Sequence, residues 1–360
     1  MEFDQFNWGK TAENWEKWWS GDLGRPVFYF TSFSASTRDD AGLEIKPFTS
    51  QYDFSIPAAE ILLNYENKIL RNTHYYGDAF PTFWPNFGPG VLPTFAGGEG
   101  HNHADTVWYS PGRFEGCELK DIEFKLDKSS LWFRRIEEFF TAAAQIWKSR
   151  TVMGMTDLGG TLDIIASLRP GEKLLLDLYD NPDEVKRLIR EVHDVWWEAY
   201  AHFENLTAGS SPGYSAWTPL LSKSRYYMLQ CDFSYMISPD MFEEFVKPEL
   251  ADSCRRLSRA FYHLDGKGEL PHLKHLCSIP ELAGIQWIPG DGMPPSADWP
   301  EVLREIVGSG RKLQVFVSSS DEVEKIISCL EKPEAAAFIG MNFKREEEEK
   351  LLGILERFGV

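Results

Sequence analysis

The chain has 360 residues, 43% of them hydrophobic and 14% aromatic, with a formal charge of −18 at pH 7. That apolar content is enough for a packed core and excludes a disordered or fibrous chain. The acidic balance argues against a surface that tracks nucleic-acid phosphates or anionic lipid. Five cysteines without a CxxC pair suit reduced thiols. The N-terminus has no secretory h-region and no apolar run reaches spanning length, so the expectation is a cytoplasmic protein with no membrane and no nucleic-acid partner.

In chain order, Trp15, Trp18 and Trp19 share one face of a predicted N-terminal helix. Such a face packs across the bottom of a domain or against a second copy of the chain, which leaves a homo-oligomer open. "RPVFYFTSF" (25–33) and "DAFPTFWPNF" (78–87) read as strands. "TVWYSPGRFEGCELKDIEFKL" (106–126) alternates like a small antiparallel insertion. "TVMGMTD" (151–157) reads as a strand followed by the helix "GGTLDIIASLR". Asn181 is placed to cap a long helix with Pro182 in its first turn. "YYMLQCDFS" (226–234) is a strand, and Ser238 with Pro239 opens the next helix. "RAFYHLD", "GIQWIPG", "KLQVFVSS" and "AAAFIGMN" are strand-like, each with an amphipathic helix after it. Repeated strand–helix units imply parallel strands with right-handed crossovers. About eight of them predict an α/β fold, a single (β/α)8 barrel over 1–360 carrying the small antiparallel insertion.

Barrel sites lie at the C-terminal ends of the strands. That rule selects Asn86, Asp157, Asp232, Tyr235, His263, Asp265, Gln286 and Trp287, with Asp291 in the following turn. His263 and Asp265 are two apart on one strand, so both side chains leave the same face. An imidazole and a carboxylate so placed suit a small-molecule site or two ligands of a divalent ion, zinc or another, bound weakly with water completing the shell. Asp232 joins them as a catalytic candidate. Asn86, Asp157, Tyr235, Gln286 and Trp287 are candidate substrate contacts, although "TDLGG" also suits Asp157 to a capping turn. His101 and His103, in a glycine-rich loop, are expected to be exposed. GxSxG, Walker, HExxH and GxGxxG motifs are missing.

"DFSYMISPDMFEEFVKPEL" (232–250), "YHLDG", "FIGMNFKREEEEKLL", "WPNFGPG" and "TDLGGTLDIIASLRPGEKLLLDLYDNPDEV" carry a resemblance to the uroporphyrinogen decarboxylase superfamily, in its uroporphyrinogen decarboxylase-like branch. The resemblance implies a (β/α)8 barrel with either of two chemistries. The cofactor-independent decarboxylases use an arginine-rich N-terminal segment and an aspartate. Here "PVFYFTSFSAST" follows Arg25, and Asn86 stands at the aspartate's place, so turnover of uroporphyrinogen is not expected. The corrinoid-linked methyltransferases hold zinc on His-x-Cys and a later cysteine. His263 matches the first ligand, whereas Asp265 and Met341 stand at the two cysteine positions. The resemblance therefore implies a methyltransferase acting on a small molecule, with the corrinoid supplied by a partner protein. The alternatives are a decarboxylase with another substrate and a non-catalytic binding barrel.

Overall fold

The computed structural model describes residues 3–33, 54–103, 106–341, 343 and 345–360. Eleven strands are formed among them: β1 Val27–Phe33, β2 Thr73–Gly77, β3 Thr82–Phe83, β4 Glu99–Asn102, β5 Val107–Ser110, β6 Val152–Met153, β7 Tyr226–Leu229, β8 Arg259–Asp265, β9 Leu282–Ile288, β10 Lys312–Phe316 and β11 Ala336–Gly340. The main sheet has the order β2-β1-β11-β10-β9-β8-β7. All its pairings are parallel except β1 with β2. The fold is thus α/β with a mostly parallel central sheet and amphipathic helices between successive strands.

The continuous eight-stranded ladder expected from the sequence is not what the hydrogen bonds show. β3 and β6 form a separate parallel pair of two residues each. On either side of that pair, Asp78 after β2 donates its N–H to Phe28 O of β1 at 2.7 Å, and Met155 after β6 donates to Ser215 O in the segment before β7 at 2.9 Å. Proline explains the short pairing, since Pro81 and Pro85 bracket β3 and have no N–H to donate. The expected insertion also forms differently. Only Val107–Ser110 of 106–126 is a strand; it pairs antiparallel with Glu99–Asn102, which precedes the predicted segment. The remainder turns through 3-10 segments at Gly112–Phe114 and Leu119–Asp121.

The helix Trp8–Ser20 lies across the N-terminal ends of the strands. Trp15 and Trp18 are buried, and Trp18 and Trp19 both meet Phe261 of β8. Trp15 Nε1 donates to Asp78 O and Trp19 Nε1 to Leu221 O, both at 2.8 Å. Asp78 is the hub beside them. Its carboxylate accepts two bonds from the Arg25 fork, one from Asn14 and one from Phe28 N–H. The tryptophan face therefore closes the bottom of the sheet. No helix among the described residues is long and apolar enough to cross a membrane.

Candidate metal-binding and catalytic site

Three of the predicted residues come together at the C-terminal end of the sheet. One donor atom each of Asp232, His263 and Asp265 lies within 4.8 Å of the others. His263 and Asp265 stand two apart on β8 and face the same way, with His263 Nε2 3.9 Å from Asp265 Oδ2. Asp232 arrives from the 3-10 turn Asp232–Met236 that follows β7, the neighbour of β8. The turn is fixed from outside. Asp163, in the first turn of the helix Thr161–Leu168, accepts the N–H of Phe233 at 2.7 Å and of Asp232 at 3.1 Å.

Gln286 orients the imidazole. It lies opposite His263 in the β8–β9 register, is fully buried, and sets its Oε1 2.5 Å from His263 Nδ1. An amide oxygen only accepts, so Nδ1 donates this bond and Nε2 is the ring nitrogen that faces the carboxylates. Trp217 meets the His263 ring edge-on, with centroids 4.8 Å apart, and limits its rotation. Two buried atoms here lack a protein partner, Gln286 Nε2 and Asp265 Oδ1.

The surroundings are acidic. Burial raises the Asp232 carboxyl above its ordinary range; His263 draws it down and Asp265 pushes it up again. Asp232 is itself exposed to solvent, which tempers the burial effect. Burial pushes Glu269 up to about 10, and its carboxyl Oε2 accepts the Asp265 N–H at 3.3 Å. Asp163 is raised by burial and by the nearby Asp232.

The other sequence candidates do other things. Trp287 is a correction: alternation along β9 turns it away from the Gln286 face, where it is fully buried against Trp299. Asp157, read either as a substrate contact or as part of a capping turn, takes part in the loop's own bonding. It is buried, its Oδ1 accepts Gly159 N–H at 2.8 Å, and burial raises it to about 7; it organises the loop after β6. Asn86 Oδ1 accepts Gly88 N–H at 2.9 Å, which holds its own turn. Tyr235 is 55% exposed and covers the loop after β8, lying so close to Gly268 that a Cβ there would fall 2.1 Å from the ring. His101 is exposed and paired with Ser110 Oγ, and His103 is exposed, as expected. Asp163, Trp217 and Glu269 escaped the sequence reading. None ends a predicted strand; the one signal was the acid three residues after Gly160 at a helix start.

No family model matches this chain, and no curated protein matches it. Among solved structures, a methyltransferase from Methanosarcina mazei is similar over 97% of this chain and 99% of its own, with a TM-score of 0.59 at 14% identity. An enolase protein from the environmental genome shotgun sequencing of the Sargasso Sea aligns over 59% of this chain and 52% of its own, at 11% identity and a TM-score of 0.25. The first likeness is one of fold; the second is too slight to carry an argument.

Proposed function

We propose that the protein is a metal-assisted methyltransferase acting on a small molecule, with a corrinoid protein as its methyl-carrying partner. The observation that carries this reading is the convergence of Asp232, His263 and Asp265 at the C-terminal end of parallel strands. The fold likeness to a methyltransferase supports it. The same reading takes the main sheet and the β3–β6 pair as one interrupted (β/α)8 wall within a single domain.

The donor set suits a divalent ion. It has one imidazole whose Nδ1 is taken up by Gln286 and whose Nε2 faces the carboxylates, and two aspartates, one with an unpartnered buried oxygen. When bound, such an ion supplies a Lewis acid that lowers the pKa of the methyl-accepting nucleophile. The residues do the rest. His263, Asp232 and Asp265 would hold the ion, with water or substrate able to complete its shell. Asp163 positions the Asp232 turn, and Trp217 excludes solvent from one face of the imidazole. With no thiolate in the cluster, the affinity is expected to be modest. The acidic surroundings disfavour an anionic substrate.

The test is metal content and methyl transfer measured together. Protein purified without chelator is expected to take up one divalent ion per chain, to lose it on dialysis against chelator, and to transfer a methyl group from a methylated corrinoid protein only when loaded. Asp232→Asn and His263→Ala should each abolish stoichiometric uptake while the fold survives. Undiminished uptake in both variants would refute the site, and a loaded protein inert toward methylated corrinoid would refute the reaction.

A further inference from the structure

At the opposite end of the sheet a second site is built from charges of the other sign. A cleft of about 520 Å³ opens at the N-terminal ends of β8, β9 and β10, lined by Arg259, Arg311, Lys312 and Lys332, with Glu281 its one carboxylate. Arg259 is neutralised by a bidentate pair with Glu16. The other three cations have no ion pair among the described residues. Arg311 donates to the carbonyls of Pro280, Cys277 and Ile279, and its buried Nε has no acceptor. Lys312 sits 4.5 Å over the ring of Trp18, and Trp19 forms part of the cleft wall.

In a chain of net charge −18, three cations without an ion pair among the described residues thus line one concavity. Burial and the neighbouring Arg259 push Lys312 down to about 8, while Glu334 only partly offsets them. A positive group so placed is short of a counter-ion.

We propose that this cleft binds a phosphate group, free or carried on a small metabolite, through Lys312 and Lys332, with the carbonyl-anchored Arg311 adding its positive charge to the wall. Compact multiply charged oxyanions match point charges such as the two lysine ammonium groups. The cleft's size and the chain's overall negative field exclude nucleic acid. Arg259 in the cleft and His263 and Asp265 of the cluster are four and six residues apart along β8, roughly 13 to 20 Å, and the two sites share no residue.

Calorimetric titration of the full chain with inorganic phosphate and with glycerol 3-phosphate, at constant ionic strength, tests this. Saturable binding is expected, with a change in tryptophan fluorescence from Trp18 and Trp19. Binding should be at least tenfold weaker in the Lys312→Gln/Lys332→Gln double variant, severalfold weaker in the exposed Lys332→Gln alone, and unchanged in His263→Ala. Tighter binding of the ester identifies a phosphorylated metabolite as the ligand, and tighter binding of the free ion identifies phosphate itself. Absence of saturable binding by both probes, or equal binding by wild type and Lys332→Gln, overturns the proposal. Because His263→Ala leaves this cleft intact, failure here is distinguishable from failure of the metal site.

Discussion

Gln286 and Glu249 show how single buried polar groups determine what the molecule can do. Gln286 touches no ligand position itself, yet it holds the protonated Nδ1 of His263 and so leaves Nε2 available. Gln286→Leu is expected to lower divalent-metal affinity by about 10–100-fold, the usual cost of removing an outer partner of a metal-binding histidine. Competition titration against a chromophoric chelator reads that loss, and circular dichroism checks that the fold is retained. Glu249 makes a different prediction. Burial raises its carboxyl from 4.5 to about 8, so the folded chain holds this proton more tightly than the unfolded one. The resulting stabilisation is complete below about pH 4.5 and is lost as pH climbs through about 8. Glu249→Gln, which cannot ionise, should therefore melt higher than wild type at pH 8.5. Thermal melts should show that advantage shrinking steadily toward pH 5.

Between elements, the contact that matters is Asp163 under the 3-10 turn Asp232–Met236. The helix start and the turn approach so closely that Gly160 has no space for a side chain. A Cβ there would lie 2.2 Å from Gln230 O and 2.4 Å from Asp163 Oδ2. Gly160→Ala must displace one of these. The expected outcome is a loss of stability of about 1–3 kcal/mol in urea denaturation, the range for overpacking, together with weakened metal uptake as Asp163 releases the turn. Metal affinity equal to wild type would show that Asp232 reaches the site without this support. The same scale explains why Trp287 was misplaced by sequence reasoning. Its position at a strand end suggested the site, but strand alternation puts Gln286 inward and Trp287 against Trp299.

Across the whole molecule, Asp78 ties the N-terminal helix to the sheet. It is fully buried and paired with Arg25, which is itself nearly buried. Asp78→Ala strands the guanidinium and removes acceptors for Asn14 and Phe28 N–H. Losing one partner of such a buried pair costs about 3–5 kcal/mol, and a melt should show it as a marked drop in Tm. Because the same helix supplies Trp18 and Trp19 to the basic cleft, this variant should also weaken phosphate binding, although none of its lost bonds faces the ligand.

Much of the architecture was legible before any coordinates. Strand–helix alternation gave the parallel sheet, Ser238 caps its helix by accepting Met241 N–H at 3.2 Å, and the two-residue spacing of His263 and Asp265 put both on one face. The β2 strand was missed because it is short and half exposed, and it pairs antiparallel with β1. These successes share a cause: periodicity and capping are local, so neighbouring residues carry them. The approach of Asp232 to the β8 pair, the Gln286 bond to His263 and the gathering of Arg311, Lys312 and Lys332 into one cleft depend on register between strands and on where separate loops meet. No local pattern encodes those distances, and only the tertiary structure decided them.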